Sequence, residues 1–348
     1  MRRVTKIAAA GIASAALALT ATACGSSSKD TSSSPSSSGS GLKVGVAYDV
    51  GGRGDHSFND SAAAGLDKAK ADFGVTVKEL TAKTADTDAD RETRLEQLAG
   101  NGYNPVIAIG YSYGTALTAA AKKYPNVHFG IVDSVVDAKN VDSMLFTAEQ
   151  SSYLAGVAAA LKTKTNKVGF IGGVDIPLIK TFQAGFDQGV ADTNPKVKVT
   201  AQYLSHGSDL SGFADPAKGK EAAQGMLDKG IDVIYSAAGS SGNGSIEAVA
   251  GKSGTWAIGV DSDQYADSSL AKYKNSILTS ALKNVNVAVY DLVKSVKAGT
   301  PLSGTQNYSL AKGGVGLSYS GGFIDNIKTQ LDAATKKIVN GDITVKTS

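Results

Sequence analysis

Cysteine occurs once in the 348 residues, at position 24, and histidine three times, at 56, 128 and 206. A lone cysteine closes no internal disulfide, so a disulfide-stapled scaffold is excluded. Histidines this scattered offer no metal-ligand spacing, and no metal site is expected. The glycines at 51, 52 and 54 make no phosphate loop. GK[ST] is missing, and Ser57 stands where GxGxxG needs its last glycine. With no histidine cluster and no cofactor loop, neither catalysis nor a cofactor is expected. No Lys/Arg stripe with interleaved aromatics is present, which argues against nucleic acid. The formal charge of +3 does not alter this, because Arg2, Arg3 and Lys6 account for all of it.

Those three cations open a leader. Residues 7–23 follow without charge and rich in Ala and Leu, long enough for a signal-peptide core and too short for a confident membrane span. The leader ends in Ala21-Thr22-Ala23-Cys24-Gly25, which resembles a bacterial lipobox, although Ala21 stands where Leu is favoured. The resemblance implies cleavage after residue 23 and a lipid on Cys24; the bland alternative is an incidental cysteine behind an ordinary signal peptide. Residues 25–40, GSSSKDTSSSPSSSGS, hold no apolar side chain larger than proline and cannot pack. As a coil, such a 16-residue tether spans roughly 20–24 Å. About 308 residues remain, enough for two lobes.

From residue 42 one pattern repeats: a short Val/Ile-rich run ending in Asp or Gly, then an Ala-rich helical stretch. The runs are LKVGVAYD (to Asp49), NPVIAIG (to Gly110), NVHFGIVD (to Asp133), NKVGFIGG (to Gly173), IDVIYSAAG (to Gly239) and TWAIGVD (to Asp261). Helices are expected over 60–73, 88–100, 115–123, 153–162, 179–193, 219–229, 285–298 and 321–340, with a further strand over 275–283. Continuous apolar strands alternating with helices imply an α/β fold with parallel sheets covered on both faces. Ligands bind such sheets at the carboxyl ends of their strands, where this chain carries Asp49, Asp133 and Asp261. Solvated loop carboxylates are the alternative. The expected division is a leader over 1–23, a tether over 24–41 and two lobes. The first lobe is 42–150, rejoined by about 262–298; the second is 151–261, rejoined by about 299–348.

The densest local signal is Asp49-Val-Gly-Gly-Arg-Gly-Asp-His-Ser-Phe-Asn-Asp60: a strand-end carboxylate, a glycine turn, an aromatic and a helix start whose N–H groups favour polar oxygens. Its Arg53-Gly54-Asp55 triplet is too short a match to support an adhesion motif. The block resembles the basic membrane lipoprotein, or PnrA-like purine nucleoside receptor, family of ABC transporter substrate-binding proteins. So do 140–161 (NVDSMLFTAEQSSYLAGVAAAL), 167–190 (KVGFIGGVDIPLIKTFQAGFDQGV), 215–220 (DPAKGK), 259–264 (GVDSDQ) and 279–290 (TSALKNVNVAVY).

The resemblance implies a type I periplasmic-binding-protein fold, two doubly wound parallel-sheet lobes joined by a hinge and closing on a nucleoside. It implies that Phe58 and Phe213 sandwich a purine base, that Asn59 and Asp133 meet its polar edge, and that Asp49, Gly239, Asp261 and Lys283 hold the ribose. Around 203–215 the segment is longer than the family's, so Tyr203 or His206 could face the base in place of Phe213. Core packing for the aromatics and a solvated Lys283 are the bland alternatives. The implied partners are a small ligand, permease subunits and, through the lipid, the outer face of the cell membrane, with the protein itself a monomer. A sugar or another small polar ligand, or a sensor role, stays open, since the type I fold serves several ligand classes.

Overall fold

The computed structural model describes residues 41–348. The chain runs through β1 (Lys43–Tyr48), α1 (Phe58–Phe73), β2 (Thr76–Thr81), α2 (Asp88–Gly100), β3 (Val106–Ala108), α3 (Gly114–Lys123), β4 (Phe129–Val132) and β5 (Val141–Phe146). It continues through α4 (Ala148–Lys162), β6 (Lys167–Asp175), α5 (Pro177–Thr193), β7 (Lys198–His206), α6 (Pro216–Asp228), β8 (Val233–Ala237), α7 (Ser241–Ala250), β9 (Trp256–Asp261) and β10 (Ile277–Lys283). It ends with α8 (Val285–Lys297), β11 (Gly304–Tyr308), β12 (Val315–Leu317) and α9 (Lys328–Val339).

Two six-stranded sheets result, ordered β11-β5-β4-β3-β1-β2 and β12-β10-β9-β8-β6-β7. Every pairing is parallel except β10 with β12. The second sheet repeats the winding of the first, β6 standing for β1 and β9 for β4. The order of winding reverses between β1 and β3 and between β6 and β8, the geometry that opens a crevice at the carboxyl ends. Central strands such as β1, β4 and β8 are buried almost throughout, as strands covered on both faces must be. This is the type I periplasmic-binding-protein fold, in two lobes. Among the described residues no helix is long and apolar enough to cross a membrane.

The chain passes between lobes three times, at Thr147, Asn284 and Ser309. The crossings brace one another. Thr147 N–H donates to Tyr308 O at 3.2 Å, Gln150 Oε1 accepts Leu310 N–H at 3.0 Å, and Asn284 Nδ2 donates to Gly313 O at 2.7 Å.

These crossings correct the expected lobe boundaries. The strand β10 lies in the second sheet, in register with β9, so 262–283 do not return to the first lobe. Conversely, β11 completes the first sheet against β5, so 304–308 do not belong to the second. The last helix is shorter than expected because 321–327 form turns ahead of it. The edge strands β2 and β7 carry exposed polar residues and show no continuous apolar run, so the pattern passed over them.

One close contact depends on glycine. The helices α4 and α5 cross with almost no side chain between them. A Cβ on Gly189 would lie 2.1 Å from Tyr153 O, and one on Gly185 would lie 2.2 Å from Glu149 O.

Candidate functional site

The loop after β1 is folded by its own carboxylates. Asp55, 2% exposed, accepts the N–H groups of Ser57, Asn59 and Asp60 at 2.8–3.1 Å and so caps α1 in place of Ser57. Asp60 accepts Gly54 N–H at 2.7 Å and His56 N–H at 3.0 Å. Gly52 takes a positive φ of 58° against Thr81, whose Cγ2 would be 2.6 Å from any Cβ. Arg53 turns outward to Asp67 and Glu79 while Asp55 is buried, so the Arg-Gly-Asp triplet is not displayed as a unit.

The Asn59 side chain is oriented by this loop. Its Nδ2 donates to Val50 O at 3.2 Å and to Asp55 Oδ2 at 3.0 Å. Both partners are acceptors, so the amide cannot be flipped, and Oδ1 is left buried without a partner.

The carboxyl ends of the two sheets face each other across a cavity whose free space, mouth included, is about 570 Å³. Asp49, Phe58, Asn59, Asp133, Phe213, Gly239, Asp261 and Lys283 all line it. Tyr203 and His206 do not. The Tyr203 hydroxyl donates to Gln183 at 2.5 Å and its ring packs edge-on to Phe170; His206 is exposed beside Asp175. Their candidacy as base-facing residues is corrected accordingly. Asp55, Tyr111, Leu178, Ile179 and Phe182 also line the cavity and were not singled out from the sequence. Phe182 lies in an apolar helical stretch, where the sequence alone does not distinguish it from a core residue.

Asp133 and Asp261 end equivalent strands, and both hold left-handed backbone, at φ 67° and 64°. That conformation is uncommon outside glycine, and such strain concentrates at functional sites. Asp261 Oδ2 accepts from Ser57 Oγ at 2.9 Å, across the lobes; Oδ1 is buried without a partner. Burial pushes this carboxyl up to about 6, against the opposing pull of Lys283 and Ser57. Asp49 accepts Val50 N–H at 2.9 Å and Ser112 Oγ at 3.1 Å, and burial pushes it too to about 6. Gly110 is required beside it, since a Cβ there would lie 2.4 Å from Asp49 Oδ2.

Lys283, at the end of β10, forms an ion pair with Asp133 from the other lobe, both almost fully buried. Its Nζ also lies 4.7 Å from the Phe58 ring centre, 5.3 Å from that of Phe146 and 5.7 Å from that of Phe182, a cation held over aromatic faces. Further contacts join the lobes: Ser262 Oγ to Ser57 O at 2.7 Å, Gln264 Nε2 to His56 O at 3.0 Å and Asn243 Nδ2 to Asp55 O at 3.0 Å.

One pattern missed from the sequence bears on catalysis. Gly110-Tyr111-Ser112-Tyr113-Gly114 has the GxSxG spacing of a hydrolase elbow and sits between β3 and α3. Ser112 Oγ donates to Asp49, and the cavity lining contains no histidine to act as its base. The cavity is instead rich in acceptors, with four carboxyl groups, one amide oxygen and a single cation. It suits a ligand bearing N–H and O–H donors and disfavours an anion.

The comparisons agree with this geometry. Residues 42–348 match the family described as ABC transporter substrate-binding protein PnrA-like. The chain is 38% identical over 327 residues to the ABC transporter nucleoside-binding protein BmpA of Lactococcus lactis subsp. cremoris, covering 87% of this chain and 89% of that one. It is 37% identical over 317 residues to a CD4+ T-cell-stimulating antigen of Listeria monocytogenes, covering 87% of each. Among solved structures, an ABC transporter solute-binding protein from Aeropyrum pernix K1 superposes with a TM-score of 0.77 at 28% identity, covering 88% of this chain and 94% of that one. The chain belongs to the PnrA-like family of ABC transporter substrate-binding proteins.

Proposed function

We propose that the protein is the lipid-anchored, extracytoplasmic binding component of an ABC importer and that its ligand is a nucleoside with a purine base. The observation that carries this reading is the pairing of buried, unpartnered acceptors with aromatic side chains from both lobes. Phe58 comes from one lobe and Phe213 from the other, and base–aromatic stacking is worth roughly 1–3 kcal/mol per base. Asn59 Oδ1 and Asp261 Oδ1 each need a donor, which a base N–H and a ribose hydroxyl supply. The nucleoside-binding relative from Lactococcus supports the same ligand class. The anchor rests on Cys24 and its flanks, which lie outside the described residues.

Calorimetric titration with inosine, guanosine, adenosine, ribose, free bases and amino acids tests the ligand. Nucleosides are expected to bind far more tightly than ribose. Binding of a sugar or amino acid with every nucleoside silent overturns the reading. For the anchor, Cys24→Ala is expected to abolish fatty-acid labelling, and persistent labelling refutes it.

A further inference from the structure

Outside the ligand cavity, three side chains that are remote in sequence converge. His56 lies in the glycine loop and Asp60 in the first turn of α1, both in the first lobe. Asp267 follows β9 in the second lobe, 211 positions beyond His56. One ligand atom from each lies within 4.8 Å of the other two. His56 Nδ1 is 2.9 Å from Asp267 Oδ2 and 3.7 Å from Asp60 Oδ2.

We propose that His56, Asp60 and Asp267 form a divalent transition-metal site that bridges the two lobes beside the cleft. Donors bound at about 2.0–2.2 Å to one tetrahedral or octahedral ion stand about 3.0–3.5 Å apart, so the 2.9 and 3.7 Å separations from the imidazole need only small adjustment, and the two carboxylates, within 4.8 Å of each other, close on the ion as it binds. Each carboxylate is already oriented. Asp60 Oδ1 accepts Gly54 N–H at 2.7 Å, and Asp267 Oδ1 accepts Ser269 N–H at 2.7 Å, which turns the other oxygen of each toward the imidazole. Second-shell bonds of this kind orient metal ligands. The three side chains are 23–27% exposed, which leaves room for entry and for water ligands. One imidazole and two carboxylates suit Zn²⁺, Co²⁺ or Mn²⁺ better than the all-oxygen shells of Ca²⁺ and Mg²⁺.

The sequence shows no such cluster because the third ligand comes from the other lobe. An ion held by both lobes favours their closed arrangement, so metal and cleft ligand each strengthen the binding of the other by the same factor. None of the three side chains lines the cavity, but Asp55, next to His56 in the chain, does.

Cobalt gives a direct test. Co²⁺ added to the purified protein at neutral pH is expected to give saturable visible absorption at one ion per chain, displaced by Zn²⁺. Two variants remove ligands gently. His56→Asn suits the left-handed φ of 57°, and Asp267→Asn keeps an oxygen for Ser269 N–H. With fold checked by far-UV circular dichroism, each is expected to weaken cobalt binding at least about tenfold. No saturable absorption, or undiminished binding in both variants, overturns the site and leaves the hydrogen bond between His56 and Asp267 in its place. Inosine titrations with and without Zn²⁺ then test the coupling, which an unchanged Kd refutes. If inosine does not bind, guanosine or adenosine takes its place; if no nucleoside binds, the nucleoside reading fails while the cobalt result still decides the metal site.

Discussion

Lys283 and Asp133 belong to different lobes and meet as a buried ion pair within the ligand cleft. Neither charge has comparable solvation available elsewhere, so each is the condition for the other's burial. Breaking a buried pair from one side costs about 3–5 kcal/mol, whereas replacing both partners with neutral groups is often tolerated. Lys283→Met is therefore expected to lower stability by about that amount. Adding Asp133→Asn is expected to restore most of it. Urea melts of the single and double variants check this, and additive losses refute the pairing argument.

A second buried carboxylate has no cation beside it. Asp142, the second residue of β5, is fully buried with both oxygens unpartnered, and burial, reinforced by the charge of Asp291, pushes it up to about 7. A folded-state value above the ordinary 3.8 means that the native state binds the extra proton. Stability is therefore full below about 3.8 and is lost as pH rises through about 7. Asp142→Asn removes the ionisation and keeps the shape. It is expected to stabilise the protein by about 1–4 kcal/mol at pH 8 and by little at pH 4, read from thermal melts at the two pH values. Equal gains at both refute the assignment.

The same physics separates what was legible in the sequence from what was not. Apolar runs ending in Asp or Gly made both sheets and their functional edge readable, since parallel strands must be apolar on both faces. Of the eight cavity residues named from the sequence, Asp49, Asp133, Gly239, Asp261 and Lys283 fall at or just beyond strand ends, Phe58 and Asn59 open α1, and Phe213 lies in the turn between β7 and α6. What was hidden depends on pairing between distant segments. The strand β10 joins the second sheet only because β9 accepts it, and Phe182 reaches the cavity only because α5 is set down against α4 through glycines. Asp55 looked like half of a surface triplet, yet its role is to cap a helix from inside.

Stability and binding are expected to respond oppositely to acid. Asp49 and Asp261 are both held near 6 by burial without ligand, so falling pH through that range protonates them and relieves the unliganded protein. A ligand that donates hydrogen bonds is held more strongly by their ionised form. Affinity for the cleft ligand is thus expected to fall several-fold between pH 7 and pH 5, while the melting temperature without ligand holds or rises from these two groups. Parallel calorimetry and melting curves in one buffer series decide it. Affinity unchanged down to pH 5 shows that neither carboxylate accepts from the ligand.

Asp261 and Phe58 divide the labour under the nucleoside reading, and the two losses carry different signatures. Asp261 Oδ2 is occupied by Ser57 Oγ, so Oδ1 alone is available to a ribose hydroxyl. In Asp261→Asn the amide has one acceptor where the carboxylate has two, so with its oxygen on the Ser57 hydroxyl the NH₂ group points into the cavity. The group that read the hydroxyl becomes a donor while the contact between lobes survives. The lost charged hydrogen bond costs about 1.5–3 kcal/mol, or about 10- to 150-fold in affinity. Phe58→Ala removes stacking, worth a similar amount, from every nucleoside alike. Titrating each variant with inosine and its 2′- and 3′-deoxy analogues separates them. Asp261→Asn is expected to lose much of the preference for the riboside over at least one analogue, and Phe58→Ala to keep the full preference at lower affinity. If Asp261→Asn retains the wild-type preference against both analogues, Asp261 serves only to join the lobes through Ser57, and the ribose is read elsewhere.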